Sequence, residues 1–303
     1  MLIVGGGAIG TLFAADARRR LGQTTRVLLA TRTKPQYEGL VKVIDKISTD
    51  LGSFKEAPIE VRALCDIRDT RFNVTLLACK QFDLYSCSSQ LALLGISSTT
   101  CVTLSNGLEC AEEVARGKFD ASEIIPAVTY AGAKLIQPGI VERTGLGNLV
   151  LVKPKNSTDA DMIRNAFPQV TFCSSAEEYE RQIWKKLLAN CVINPLTAIL
   201  DCKNGQVPIL APYLMSLLCD EFIEACPYEL DFNGLTPIQF VNQVCERTAA
   251  NTSSMLADVK KRRKTEIDSL NGALLRKSKE KGLVLQTHSA IYEAIKSLER
   301  GYL

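Results

Sequence analysis

The sequence predicts an α/β fold in its first half and an all-α fold in its second. In the first half, short apolar runs alternate with Gly and Pro punctuation, the pattern of a parallel sheet with helices between its strands. At Ser174-Ser175-Ala176-Glu177-Glu178 the character changes. Ser175 followed by Glu178 has the spacing of a capping box, and acidic residues suit the first turn of a helix. From there the polar and apolar residues recur with a helical period, which sets the expected domains at 1–174 and 175–303. A chain of 303 residues, 46% hydrophobic and 23% charged, can bury a sizeable core.

The chain opens on the apolar strand Leu2-Ile3-Val4, followed by Gly5-Gly6-Gly7-Ala8-Ile9-Gly10 and the start of a helix. This G-x-G-x-x-G turn gives each glycine a task. Gly5 makes the tight turn, Gly7 leaves room for a pyrophosphate, and Gly10 lets the helix lie close to the strand. The phosphates then meet backbone N–H groups at the helix start, at Ala8, Ile9 and Gly10. Alone the motif is weak; here a strand precedes it, a helix follows, and a second strand is expected at Arg26 to Ala30. Together these define a Rossmann-type dinucleotide-binding domain. An NAD site would place Asp or Glu at the end of that second strand. This sequence has Thr31-Arg32-Thr33-Lys34 instead, and a guanidinium suits the 2′-phosphate of NADPH.

Further strands are expected at 72–78, 99–104, 124–128, 140–143, 149–152 and 169–173. Two of them end in Cys79-Lys80 and Ser105-Asn106-Gly107. Ligands of open parallel sheets lie beyond the carboxyl ends of strands, so Lys80 and Asn106 are expected to touch the cofactor.

In the second half Lys186, Asn190 and Asn194 recur every four residues. Four residues turn a helix by about 400°, so they form one polar stripe. Leu187, Leu188, Ala189, Cys191, Val192 and Ile193 surround the stripe, and a helix so apolar is buried. A polar stripe on a buried helix needs partners or a cleft.

Other features exclude alternatives. The net charge of +3 is too small to argue for nucleic acid or an anionic membrane. The basic run Lys260 to Lys264 reads as a solvated face. The longest apolar stretch, Leu187 to Leu200, contains Asn190, Asn194 and Pro195 and is too short and polar to span a bilayer. No charged leader with an apolar segment precedes the first strand, so a cytoplasmic location is expected. The eleven cysteines include no CxxC pair, and only one histidine is present. Reduced, mostly buried thiols and no metal site follow. That histidine, His288, stands near the chain end, and the acid of any reaction is sought elsewhere.

The run Trp184 to Ile199, the segment Cys202-Lys203-Asn204-Gly205, and the stretches Asn251 to Asp258 and Thr265 to Gly272 resemble three motifs of the ketopantoate reductase (2-dehydropantoate 2-reductase) family. With the glycine turn and Asn106-Gly107, the resemblance covers nearly the whole chain. It implies a Rossmann-type domain followed by a helical domain, with the active site between them. The activity implied is NADPH-dependent reduction of ketopantoate to pantoate, a step toward pantothenate and coenzyme A. Lys186 matches the catalytic proton donor. Asn190, Asn194, Asn204 and Ser254 match substrate-binding positions, and Asn106 one shared by substrate and cofactor. Glu266 matches a cofactor contact beside the lysine. Arg32 and Lys80 match phosphate or ribose contacts. Gly132 stands where the family often has alanine near the nicotinamide, at a backbone contact expected to tolerate the change.

The chemistry suits these residue types. Hydride added to a ketone leaves charge on its oxygen, which needs a proton and a positive partner. A lysine in an apolar cleft can be both, while asparagines hold a carboxylate and a hydroxyl without adding charge. The alternatives are a reductase of another branched 2-oxo acid and a non-catalytic NADPH-binding regulator. The partner expected is a small 2-oxo acid, with no nucleic acid or membrane, and the protein a monomer or homodimer.

Overall fold

The computed structural model describes residues 1–33, 40–45 and 54–303, so Lys34 lies outside the described residues. Two compact units are present: Met1–Ser105 with Glu109–Tyr179, and Asn106–Leu108 with Glu180–Leu303. The chain therefore passes between units after Tyr179 rather than at 174/175. The capping residues account for the difference, because they tie the first helical turn to the strand before it. Ser174 donates from N and Oγ to Glu178 Oε2, both at 2.7 Å, and Glu178 N donates to Ser175 Oγ at 3.1 Å.

The first unit starts β1 (Leu2–Val4), α1 (Ala8–Leu21), β2 (Leu28–Thr31), β3 (Leu40–Asp45), β4 (Phe54–Pro58) and β5 (Glu60–Ala63). It continues β6 (Arg71–Leu77), α2 (Leu84–Leu93), β7 (Ser97–Thr103), α3 (Cys110–Arg116), β8 (Asp120–Thr129) and β9 (Gly132–Gln137). It closes with β10 (Ile140–Gly145), β11 (Leu149–Val152), α4 (Ser157–Ala166) and β12 (Val170–Cys173). The main sheet has the order β12-β11-β8-β7-β6-β1-β2-β5, parallel except for β8 with β11. From β1 the chain winds one way to β2 and β5, then the other way to β6, β7 and β8. That reversal is the switch point where wound sheets bind ligands.

Alternation along the strands splits the core. Ile3, Leu29, Leu76 and Val102 join α1 and α4 residues such as Leu12 and Ile163 on one face. Leu2, Val4, Leu28 and Leu77 join Leu84, Leu91 and Val114 of α2 and α3 on the other. A strand covered on both faces has no polar side to show, hence the continuous apolar runs. A second sheet, β4-β3-β10-β9, joins the α1 side of the core through Val41, Val43, Ala57 and Val141.

The second unit is helical. α5 (Ala176–Leu200) leads into it, followed by α6 (Val207–Leu210), α7 (Pro212–Ala225), α8 (Pro237–Arg247), α9 (Ser254–Lys260), α10 (Asn271–Glu280) and α11 (Gln286–Arg300). Its core gathers α5 side chains around Phe222, Met255, Ile267 and Ile295, with Trp184 edge-on to Phe222 at 5.6 Å. α5 continues through Pro195, which has no N–H to give the Cys191 carbonyl. Asn271 Nδ2 supplies the missing donor at 3.0 Å. The same amide lies 3.0 Å from His288 Nδ1, and His288 Nε2 donates to the Leu218 carbonyl at 3.0 Å. His288 is fully buried, and burial pushes its pKa below the usual histidine value. Through these bonds it joins α10 to α7 inside the helical core.

Among the described residues no single helix is long and apolar enough to cross a membrane. Lys260 to Lys264, from the last residue of α9 onward, are exposed, with Lys260 paired to Asp201 at 2.6 Å. All eleven cysteines are free, and seven are buried: Cys101, Cys110, Cys173, Cys191, Cys202, Cys219 and Cys245.

Candidate active site

In the first unit the glycine turn is set by contact as well as by conformation. Gly5 has φ +120°, and a Cβ there would lie 2.7 Å from the Ala78 carbonyl oxygen. A Cβ on Gly10 would lie 1.9 Å from Gly5 O, so only glycine lets α1 come this close. Gly7 differs, for a Cβ there would meet nothing within 4 Å. Gly7 is the N-cap of α1 but offers no side chain to it, and the first turn contains no acid. The amides of Ala8, Ile9 and Gly10 precede the first intrahelical bond, from Thr11 N to Gly7 O. Open space facing uncapped helix amides fits the diphosphate of a dinucleotide.

The remaining expected cofactor residues of this unit lie further along the chain and are held differently. Arg32, just past β2, is exposed and pairs with Asp83 at 2.9 Å. Such a pair is worth about 0–1 kcal/mol, so an incoming phosphate can compete for the guanidinium. Lys80 caps the short turn Gln81–Asp83 and is half-buried. Gly132 is tightly packed. A Cβ there would lie 2.7 Å from Gly145 N and 2.7 Å from Thr144 Oγ1, because β9 and β10 close on each other at an irregular register between Arg143 and Gly145. Alanine is therefore not freely tolerated in this chain; the backbone would have to shift.

The second unit brings together three residues far apart in sequence. Lys186 Nζ donates to Asn106 Oδ1 at 2.7 Å, and Asn106 Nδ2 donates to Glu266 Oε2 at 3.4 Å. Asn106 is brought there by the three-residue segment Asn106–Leu108, which counts with the helices. Gly107 (φ +104°) permits the approach, since a Cβ would lie 2.5 Å from Ser269 O. Glu266 is buried, in a segment anchored by Glu299. Thr265 donates from N and Oγ1 to Glu299 Oε1, both at 2.7 Å, and Lys296 holds the other oxygen at 2.8 Å.

The stripe on α5 is present as a break in burial. From Leu187 to Ala198 every residue is buried except Asn190, and Asn194 retains 9% exposure. Asn204 is buried and donates from Nδ2 to Thr248 Oγ1 at 3.0 Å. Its Oδ1 accepts no hydrogen bond, an orphan acceptor of the kind a ligand hydroxyl satisfies. Ser254 is exposed at the start of α9, while its neighbour Ser253 is buried as the N-cap.

Sequence reasoning missed the network around Ser253. Its hydroxyl accepts from Leu256 N at 3.0 Å and lies 2.6 Å from Thr197 Oγ1, which donates to the Asn194 carbonyl at 2.8 Å. The available signal was the capping position of Ser253 ahead of an apolar helix. Asn271 and Glu299 carried no local signal, because their partners are distant in sequence.

A parallel sheet reversing at a glycine turn makes the first unit a dinucleotide-binding fold, the kind that nicotinamide oxidoreductases use. The family is settled by sequence. The chain belongs to the ketopantoate reductase family: Ketopantoate reductase PanE/ApbA matches residues 1–156, and Ketopantoate reductase PanE/ApbA C terminal matches 178–299. The 2-dehydropantoate 2-reductase of Yersinia pestis is 38% identical over 146 residues, 47% of this chain, and the match spans only 46% of that protein. The Vibrio cholerae enzyme of the same name is 33% identical over 67% of this chain and 70% of its own length. In fold, the chain resembles the PanE/ApbA family ketopantoate reductase of Ralstonia eutropha JMP134, with TM-score 0.84 and 19% identity over 100% of this chain and 99% of that one. A D-mandelate dehydrogenase solved with NADH and anilino(oxo)acetate has TM-score 0.83 and 22% identity over the same shares.

Proposed function

We propose that this chain reduces 2-dehydropantoate (ketopantoate) to pantoate with NADPH, a step of pantothenate and coenzyme A synthesis. The Lys186–Asn106–Glu266 chain of hydrogen bonds carries the proposal, in a family whose sequence relatives bear the name of that reaction. Bound NADPH supplies the hydride to the ketone carbon. Lys186 Nζ then gives a proton to the ketone oxygen and, while charged, stabilises the negative charge developing there. Asn106 Oδ1 holds the ammonium in place. Glu266, by accepting from Nδ2, fixes which end of the Asn106 amide faces the lysine. Asn190, Asn194 and Ser254 are assigned to the substrate carboxylate and hydroxyl, and the orphan Asn204 Oδ1 to a hydroxyl hydrogen.

Choice of NADPH rests on the end of β2. The dehydrogenase solved with NADH shares this fold, so architecture does not choose between the two cofactors. Thr31-Arg32-Thr33 offers no acid for a ribose 2′-hydroxyl, but does offer a guanidinium for a 2′-phosphate.

The test follows absorbance of NADPH or NADH with purified protein and a panel of 2-oxo acids. The expected result is fastest oxidation of NADPH with ketopantoate, much slower with NADH, and a narrower cofactor preference in Arg32→Ala. Turnover only with another 2-oxo acid would reassign the substrate. Tight NADPH binding without turnover would leave a binding protein instead of a reductase.

A further inference from the structure

The Asn204 side chain is held at one end and unsatisfied at the other. Its Nδ2 donates to Thr248 Oγ1 at 3.0 Å, while the buried Oδ1 accepts from nothing among the described residues. The two residues meet because the backbone beside them is pinned. Asn204 N donates to the Asn251 carbonyl at 3.1 Å, Gly205 N to the Ala249 carbonyl at 3.2 Å, and Asn251 N to the Thr248 carbonyl at 2.8 Å. A Cβ on Gly205 would lie 2.6 Å from Ala249 Cβ. The turn Asn204–Gln206 thus lies directly against the chain that leaves α8.

An amide can present either end, and its hydrogen-bond partners decide which. Thr248 is the C-cap of α8, and its hydroxyl hydrogen goes back to the Val244 carbonyl at 2.7 Å. Oγ1 therefore has only lone pairs to offer Asn204. Turned the other way, the amide would set Oδ1 against Oγ1 with no hydrogen between them. The bonds run in one direction, from Asn204 Nδ2 to Thr248 and from Thr248 to Val244, and Oδ1 is the end they leave for a ligand.

We propose that Thr248 determines specificity: by orienting the Asn204 amide, it makes the site select 2-oxo acids that carry a hydroxyl over those that lack one. A hydroxyl hydrogen satisfies Oδ1. A substrate with a methyl group in its place leaves a buried acceptor unpaired, and that is costly. Sites built to hydrogen-bond a substrate hydroxyl reject the analogue without it far more strongly than they reject a missing methylene. Thr248 acts through Asn204 and is a positioning residue.

The selection rests on the assignment of Asn204 to the substrate; the orientation of its amide does not. The experiment compares kcat/KM for ketopantoate with that for 3,3-dimethyl-2-oxobutanoate, which has hydrogen where ketopantoate has hydroxyl. The parent protein is expected to favour ketopantoate by roughly 10–100-fold. Thr248→Val should cut that preference roughly tenfold, through the KM for ketopantoate more than through kcat, with NADPH Kd unchanged. Thr248→Ser, which keeps the hydroxyl, should retain the parent's preference. An unchanged preference in Thr248→Val, or an equal loss in Thr248→Ser, would overturn the proposal, as would a parent protein that favours the compound without hydroxyl. A parent that reduces neither compound would sink the functional reading and the selection with it. NMR would still decide the orientation: the Asn204 Nδ2 hydrogens should show a nuclear Overhauser effect to the Thr248 side chain in the parent and in Thr248→Ser.

Discussion

The groups that would face ligand in the first unit are backbone amides at the start of α1, whereas those in the second are side chains of α5 and of the segment around Glu266. The contrast governs what each unit tolerates. A backbone site excludes side chains, so its residues are forced toward glycine by contacts such as Gly10 against Gly5. A side-chain site needs every polar atom oriented, and recruits distant residues to do it: Asn106 for Lys186, Glu299 for the Glu266 segment.

Substitutions can set the two kinds of site against each other. The largest effect is expected for Lys186→Ala, which should lower kcat by about 10²–10⁴-fold while NADPH affinity stays within about twofold, since the proton donor is used only as charge develops. Steady-state kinetics with fluorescence titration checks both numbers; normal turnover would remove Lys186 from the chemistry. Next comes a pair on the backbone site. Gly10→Ala forces backbone against backbone and should cost about 1–3 kcal/mol of stability as well as binding. Gly7→Ala should leave the urea midpoint unchanged, because its Cβ meets nothing, yet weaken NADPH binding by crowding the phosphate. Equal loss of stability in both would show that Gly7 serves the fold alone.

The smallest effect concerns pH. Burial lowers the His288 pKa, so the unfolded chain takes up that proton first as pH falls. Its stabilising contribution is complete above the ordinary value of 6.5 and is lost below it, by at most about 1.4 kcal/mol per pH unit, until the folded value is reached. The Met1 ammonium, lowered from 8.0 to about 6 mainly by burial, gives a slope of the same sign at higher pH. Urea titrations across this range should show both slopes in the parent protein. His288→Gln should lose only the lower one, because the chain has no other histidine.

The same contrast decides what could be read in advance. The glycine turn and the central strands were legible, because a backbone site and a doubly covered sheet constrain consecutive residues. The stripe Lys186, Asn190 and Asn194 was legible because its neighbours on α5 are all buried. The second sheet was mostly missed. Only Ile140 to Arg143 was expected of it, and β9 carries Lys134 and the exposed Ile136, too weak an alternation to separate from loop. Glu266 beside Asn106 came from family resemblance, since no local period joins residues so far apart. The close approach of Gly132 to Gly145 was read by neither route, because it belongs to the irregular pairing of β9 with β10.

The segment Asn106–Leu108 has a consequence for how the protein can be divided. It follows β7 in the chain, yet Leu108 lies in the core of the helical unit and Asn106 holds Lys186. A fragment beginning at Glu180 would contain Lys186 and Glu266 but lack the residue that links them, and its core would have a gap. The helical unit is thus not a separable cassette. Any exchange of C-terminal halves between relatives must carry a tripeptide from the middle of the other half, and during synthesis that tripeptide must wait for helices made much later.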